Sequence, residues 1–528
     1  QLTSKMSEED FTIFSGGDNT NLTCQVIADS CDVLDEIINP EYKDTLYADD
    51  MTWILTSAFI ILTMQSGFAM LEIGVSSPGN EVNVMLKNVC DLLFGTMAFY
   101  FFGYGIAFGE PSNGFMGMGD FVPITDYDDP VASGLFYGRY IFNLSFAATS
   151  TTIVSGAIAM RMKFKVYCLY SFYAVLVYSF VAHWVWADNG WLAERGVHDF
   201  AGGGPVHLLG GFNSFLAILF VGPRRGRFDG TRPDSDFAES SPTNQLLGLL
   251  ILWFAWIGFN CGSSFGITEE KWLVATRTAV STMNASATGG IFGLIYSQWA
   301  TKCRFVRPYD IVNGTLGGLI SSSPTSACIQ PYEAMVIGAI GGLVACWSNE
   351  MMFKKRFHLD DPVGTLGAHA VAASWGILAV GLFANSQFPG ITVRDGLFHG
   401  GGFVQLGSQC LEIVAIIAWS IAVVTPFFYI VGVALSRQPK NPRAGLILEF
   451  PDTPFHQADP RIHDCLEENI NMREVIEYAM KDTGFLEYID RVVVQKMKED
   501  EEDSTESSHD LPSLDITVGP KQSLFRRR

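Results

Sequence analysis

The sequence predicts an all-α polytopic membrane protein with eleven transmembrane helices. Three observations carry that expectation. The 528 residues are 48% apolar and only 17% charged, whereas soluble domains carry about 25% charged residues. The apolar residues fall in eleven blocks, near 52–74, 88–108, 134–160, 166–186, 200–221, 244–265, 272–300, 310–330, 332–353, 362–385 and 411–436. Each block is close to the ~20 residues that a helix needs to cross the hydrocarbon. Finally, Lys and Arg gather after every second block from the third onward.

Those basic residues give the orientation. Arg161, Lys163 and Lys165 follow the third block, and Arg224, Arg225 and Arg227 the fifth. Lys302, Arg304 and Arg307 follow the seventh, Lys354, Lys355 and Arg356 the ninth, and Arg437, Lys440 and Arg443 the eleventh. The loop after the eighth block has none, and the loop after the tenth has only Arg394. The positive-inside rule then puts the first tail outside the cell and the last tail in the cytoplasm.

Three regions follow: an extracellular acidic tail (1–50), a membrane domain (51–436) and a cytoplasmic, partly disordered tail (437–528). The net charge of −21 sits mostly in the tails. Residues 1–50 hold 12 acidic and 2 basic residues, and residues 437–528 hold 19 and 13. Acidic tails around an apolar middle argue against nucleic acid as a partner. No apolar secretory leader is visible in residues 1–30. Asn21-Leu22-Thr23 is a glycosylation sequon beside Cys24 and Cys31, so an outside tail is compatible with a glycan and a disulfide. The other eight cysteines read as small hydrophobes. Residues 464–497 have a helix-like pattern, and "KEDEEDSTESSHD" (498–510) reads as a solvated, disordered run.

Two phrases recur. Asp199 precedes His207 by eight residues, and Asp361 precedes His369 by eight, five blocks later. Gly67-Phe68 in the first block is echoed by Gly258-Phe259 in the sixth. The echoes predict two inverted five-helix repeats plus a peripheral eleventh helix, with a site near the midplane.

Ionisable groups in a span are costly and point to function by default. Asp199 reads either as the cap of the fifth helix or as a negative charge that attracts a cation; Asp361, followed by Pro362, reads as a cap. His207 and His369 are the two histidines placed mid-span. They read as core residues, as a pair sharing a proton, or as metal ligands. A metal site wants three or four ligands, and no third ligand of matching depth is evident. No Ser or Cys nucleophile stands beside a His, so no catalytic residue, metal or cofactor is expected. Phe142 and Phe146 share one helix face. Trp186 ends the fourth block, and Trp256, Phe259 and Ser263 lie in the sixth. Singly these residues pack. Together they form a cage in which each ring attracts a cation by about 0.5–2 kcal/mol and Ser263 accepts a hydrogen bond, which suits a small cation that donates hydrogen bonds.

The phrases "GFAMLEIG", "HWVW", "DFAGGGPVH", "GFNCGSS" and "DDPVGTLGAH", in that order across residues 50–436, resemble the ammonium transporter family, on the Amt side of the Amt/Rh superfamily. "DDPVG" is similar to the animal branch. The resemblance implies a plasma-membrane homotrimer in the lipid bilayer with one pore per subunit, carrying ammonium or ammonia, with methylammonium as analogue. Phe142, Phe146, Trp186 and Ser263 resemble the outer ammonium-binding vestibule, and Asp199 the acidic residue that favours cations there. Phe146 and Phe259 resemble stacked rings that close the pore, and His207 and His369 its paired histidines. An ammonium sensor signalling through the cytoplasmic tail is the alternative. Three departures stand out. Gly364 replaces a residue that is often polar, Ala370 replaces a usual Gly, and "GLILEFPDTPFHQADP" (445–460) replaces the usual tail phrase.

Overall fold

A computed structural model describes residues 40–123, 129–436 and 441–447. Among the described residues every extended element is helical, and β-pairing is limited to isolated bridges at Ser112–Gly117 and Met162–Ile447. The first helix, α1, runs Pro40–Leu62 and resumes after Thr63 as Met64–Val75; α2 (Glu81–Ala98) continues through a π-helical turn, Phe99–Gly103, into Tyr104–Phe108. Then follow α3 (Pro130–Ile158), α4 (Phe164–Trp186), α5 (Leu209–Val221, entered through a π-helical turn at Gly203–Leu208), α6 (Pro242–Gly262), α7 (Lys271–Ala300) and α8 (Pro308–Ser322). After α9 (Pro331–Trp347, prolonged as Ser348–Arg356) come α10 (Ala372–Phe383, entered through a π-helical turn at Leu366–Val371) and α11 (Val404–Leu435).

The starts are written in the sequence. Pro opens α3, α6, α8 and α9, where its missing N–H is no loss. Asp129 accepts from Ala132 N–H at 2.9 Å and Ser241 from Asn244 N–H at 3.2 Å, each supplying an acceptor to an orphan donor. Gln330 and Glu333 form a reciprocal capping box on α9.

Nine of these helices are long and apolar enough to cross a membrane, all among the described residues. Two fall short: α8 is only 15 residues long, and α7 is rich in small and polar residues. With α9 they pack backbone against backbone on small residues. A methyl on Gly289 would lie 2.5 Å from the Gly314 carbonyl oxygen, one on Gly318 2.3 Å from that of Ala285, and one on Gly342 2.5 Å from that of Gly289. Close helix approach in a bilayer demands such residues, and they dilute the hydropathy by which a span is recognised. The glycines echoed between α1 and α6 also serve packing. A Cβ on Gly67 would meet Leu252 at 2.8 Å, and one on Gly258 would meet Ile60 at 2.6 Å.

At the face carrying the Lys and Arg clusters, Asp360 ties three loops together. Arg224 donates to it from its backbone N and from Nε at 2.8 Å, and from Nη2 at 2.9 Å. Arg161 Nη1 lies 3.7 Å from the carboxylate. Burial pushes the Asp360 carboxyl up, but Arg224 and Arg161 outweigh it and hold the group well below the usual carboxylate range. The described part of the last tail docks on this face: Lys163 donates to Ala444 O at 2.9 Å and Arg443 to Pro223 O at 3.0 Å. The predicted first tail with Asn21, Cys24 and Cys31, and the tail beyond 447, lie outside the described residues.

Candidate functional site

The two Asp-to-His phrases fold alike. The Asp199 carboxylate accepts from Gly202 N–H at 2.7 Å, Gly203 N–H at 2.9 Å and Gly204 N–H at 2.5 Å. The Asp361 carboxylate accepts from Gly364 N–H at 3.1 Å and Leu366 N–H at 2.7 Å. The third residue after each aspartate is a glycine with positive φ, +84° at Gly202 and +86° at Gly364, a conformation that costs other residues about 1–2 kcal/mol. A π-helical turn follows and holds the histidine, His207 in Gly203–Leu208 and His369 in Leu366–Val371. π turns are concentrated at functional sites. Capping is therefore real at both aspartates. Burial pushes the Asp361 carboxyl up while its backbone N–H bonds pull it down.

This capping gives the Gly364 departure a reason. A side chain there would be strained by φ and would lie 2.5 Å from Asn313, Asn349 and Tyr309. At the other departure, Ala370 is half-buried. Gly211 is the residue that lets the backbones of α5 and α10 close, since a Cβ on it would sit 2.4 Å from Ala370 N.

The histidines, five spans apart in sequence, meet. Nδ1 of His207 lies 3.4 Å from Nδ1 of His369, with ring centroids 5.4 Å apart. Each histidine stands about one turn inside its helix. Both imidazoles are buried, and the Nε2 of His207 has no hydrogen-bond partner among the described residues. Trp256 stacks on His207 at 4.9 Å and donates to Ser323 Oγ at 2.9 Å, so it lies beside the imidazole, below the outer cage. Phe259 flanks His207 at 5.6 Å, as Phe68 flanks His369 at 6.1 Å. The Gly-Phe echo thus brings one ring to each imidazole.

Toward the face where α5 begins, Phe146 and Phe259 stack at 4.0 Å with an interplanar angle of 11°. Above this stack, Phe142 lies 5.0 Å from Phe146 and Trp186 5.8 Å from it. Ser263 donates to Phe259 O at 3.0 Å, which leaves its oxygen lone pairs as acceptors. Trp186 Nε1 donates to the backbone O of Asp199 at 2.8 Å. The Asp199 side chain itself is buried behind this wall, turned to the glycine amides. On the other side of the pair, a pocket lined by Phe68, Glu72, Ile153, Leu316, Val363 and His369 has about 10 Å³ open to the centre of a water-sized molecule, room for about one.

Sequence reasoning passed over several buried ionisable residues. His183 lies in the last turn of α4, its Nδ1 2.8 Å from Ala107 O and its Nε2 2.6 Å from Asn113 O, and it pins the loop after α2. Lys87 donates to Ala159 O at 2.5 Å and Met162 O at 2.7 Å. Asp91 accepts from Tyr167 and Ser171 at 2.6 Å. Glu72 accepts from Asn88 at 2.8 Å and from Ser155. Glu412 stands beside Asp199; a lone carboxyl in the most apolar block was the signal available for it.

Residues 52–443 match the model of the Ammonium Transporter Family. The chain belongs to this family. Relatives carry the same signal across kingdoms. The Dictyostelium discoideum ammonium transporter 3 is 34% identical over 392 residues, 72% of this chain and 87% of its own length. A Caenorhabditis elegans relative is 39% identical over 394 residues, 72% of this chain, which agrees with the animal-branch resemblance; this chain spans 56% of that relative. Among solved structures, a "Sensor Amt Protein" is 28% identical, covers 76% of this chain and 98% of its own, and superposes with TM-score 0.67. Candida albicans Mep2 is 25% identical, with coverage of 75% and 86% and TM-score 0.66. A polytopic helical membrane protein of this family is thus established.

Proposed function

We propose that the protein is an ammonium transporter of the plasma membrane that takes up NH4+ from outside and passes NH3 through an apolar pore in each subunit of a homotrimer. The observation that carries this reading is the line of groups itself. An aromatic cage with a free hydroxyl acceptor stands over a stacked Phe146–Phe259 pair, and a buried imidazole pair lies directly beneath it. Phe142, Phe146, Trp186 and Ser263 hold the cation through ring faces and one acceptor. Asp199 supplies negative potential behind them. The stacked rings exclude a hydrated ion. The imidazole pair relays the proton inward beside the NH3, so each turnover carries one positive charge, and a neutral ammonia molecule fits the small, mostly apolar pocket below.

The fold reading belongs with this proposal. Counting α7 and α8 gives eleven spans. The matched glycine φ values, π turns and Phe–His contacts support two inverted five-helix repeats, with α11 peripheral, as only 22% of its apolar window is buried in the chain. The Arg and Lys clusters set that face inside the cell. One structural neighbour is named as a sensor, so uptake is the property to measure. Cells lacking their own ammonium uptake should accumulate radiolabelled methylammonium saturably when expressing this chain. Surface-exposed protein without uptake would reject transport and leave sensing.

A further inference from the structure

We propose that Glu412 is a second acidic residue of the outer cation site, sharing one proton with Asp199, so that a pair of carboxyls sets the charge the cation meets. The inference rests on the cation role proposed for Asp199. Glu412 lies in the third turn of α11 and is fully buried. Its Oε2 accepts from Gln409 Nε2 at 3.0 Å, while its Oε1 has no hydrogen-bond donor among the described residues. That oxygen lies against Gly204, where a Cβ would come within 2.1 Å of it. The N–H of the same glycine donates to Asp199 Oδ2 at 2.5 Å. Both carboxyls therefore flank one peptide, that of Gly204.

None of the salt bridges among the described residues includes either group. The other titratable groups facing the pair do not neutralise it. His198, on the loop before α5, exchanges backbone hydrogen bonds with Gln409, and burial pushes its imidazole down to about 4. Cys328, after α8, is a buried thiol. From α5 come only glycine amides, and from α11 the amides of Gln405 and Gln409. Two carboxylates in contact without a cation cannot both ionise. Asp199 has three N–H donors that favour its charged form, whereas Glu412 has one amide. The proton thus resides on Glu412, on the oxygen that otherwise lacks a partner, and is donated to Asp199. The pair carries one negative charge, gains a proton in acid to become neutral, and loses its shared proton in alkali.

The test uses the full-length protein in proteoliposomes. Infrared difference spectra should show the C=O stretch of protonated carboxylic acid at neutral pH, and Glu412→Gln should remove one component of that band, leaving any from the buried Glu72 and Asp91. Methylammonium-evoked current, measured against pH at constant methylammonium cation, should be limited in both acid and alkali in the wild type. In Glu412→Gln, whose amide still donates to Asp199 but cannot be deprotonated, the alkaline limb should be lost. An unchanged band and an unchanged two-limbed profile in Glu412→Gln, in a protein that Asp199→Asn inactivates, overturn the shared proton alone. Wild-type current in Asp199→Asn overturns the site reading beneath it. If Glu412→Gln fails to assemble, the absence of any protonated-carboxyl band in the wild type still overturns the proposal.

Discussion

Asp199 caps α5 with three backbone hydrogen bonds, and in the proposed function the same carboxylate supplies negative potential behind the aromatic cage. The two roles separate on substitution. Asp199→Asn keeps an acceptor oxygen but loses the charge, and Asp199→Ala loses both. Losing a cap costs about 0.5–2 kcal/mol, which a folded domain with roughly 5–15 kcal/mol of stability tolerates. Both variants should therefore reach the surface, and both should lose at least ~10-fold in methylammonium uptake, the equivalent of about 1.4 kcal/mol. Normal uptake by Asp199→Asn would show that capping alone explains the residue. Asp360 makes a second residue-scale prediction. Its carboxyl is held below the unfolded value, so its stabilisation is complete above that value and is lost as pH falls toward the folded one. Removing one partner of a buried pair costs about 3–5 kcal/mol. The thermal-stability gap between wild type and Asp360→Asn should stay constant from about pH 8 to about pH 5 and narrow only below about pH 4. A gap that closes between neutrality and about pH 6 contradicts the ion-pair account.

At the scale of elements, the sequence disclosed what periodicity and punctuation can disclose. Blocks such as 166–186 and 272–300 agree with α4 and α7 to within a few residues. Asp199 and Asp361 were legible as caps, and the Asp-to-His spacing marked two segments that prove to share a cap, a positive-φ glycine and a π turn. The pairing of His207 with His369 was legible from their matched positions and the resemblance, but its geometry was not, because that depends on where α5 and α10 cross. Glu412 was missed for a similar reason. Its meaning comes from a partner more than two hundred residues away. The role of Gly364 is open to a direct check. Gly364→Ala adds steric collision to the strain of a positive φ, whereas Gly400, at φ +90°, has open space around it. Gly400→Ala should cost about 1–2 kcal/mol of strain at most, and Gly364→Ala clearly more, by thermal unfolding of detergent-solubilised protein. Equal losses would mean that Gly364 is not crowded.

For the whole molecule, orientation and the tail are the open claims. Asn21→Gln should remove a glycan-dependent mobility shift, and a C-terminal tag should stain only permeabilised cells; staining of intact cells rejects the orientation. Residues 441–447 already contact the loops after α3 and α5. Truncation after Met497 should thus leave uptake near wild type, and truncation after Arg437 should impair it. Loss of uptake on removing only 498–528, at normal surface level, contradicts a dispensable extension. The central claim is that ammonium crosses through the line from Trp186 to His369. The direct measurement is methylammonium-evoked current from purified protein in liposomes, with K+ as competitor, for the wild type and the His207→Ala/His369→Ala double variant. The account predicts a saturable current that K+ does not carry in the wild type, and altered rate or admitted K+ in the variant; identical rate and selectivity in the two proteins would contradict it.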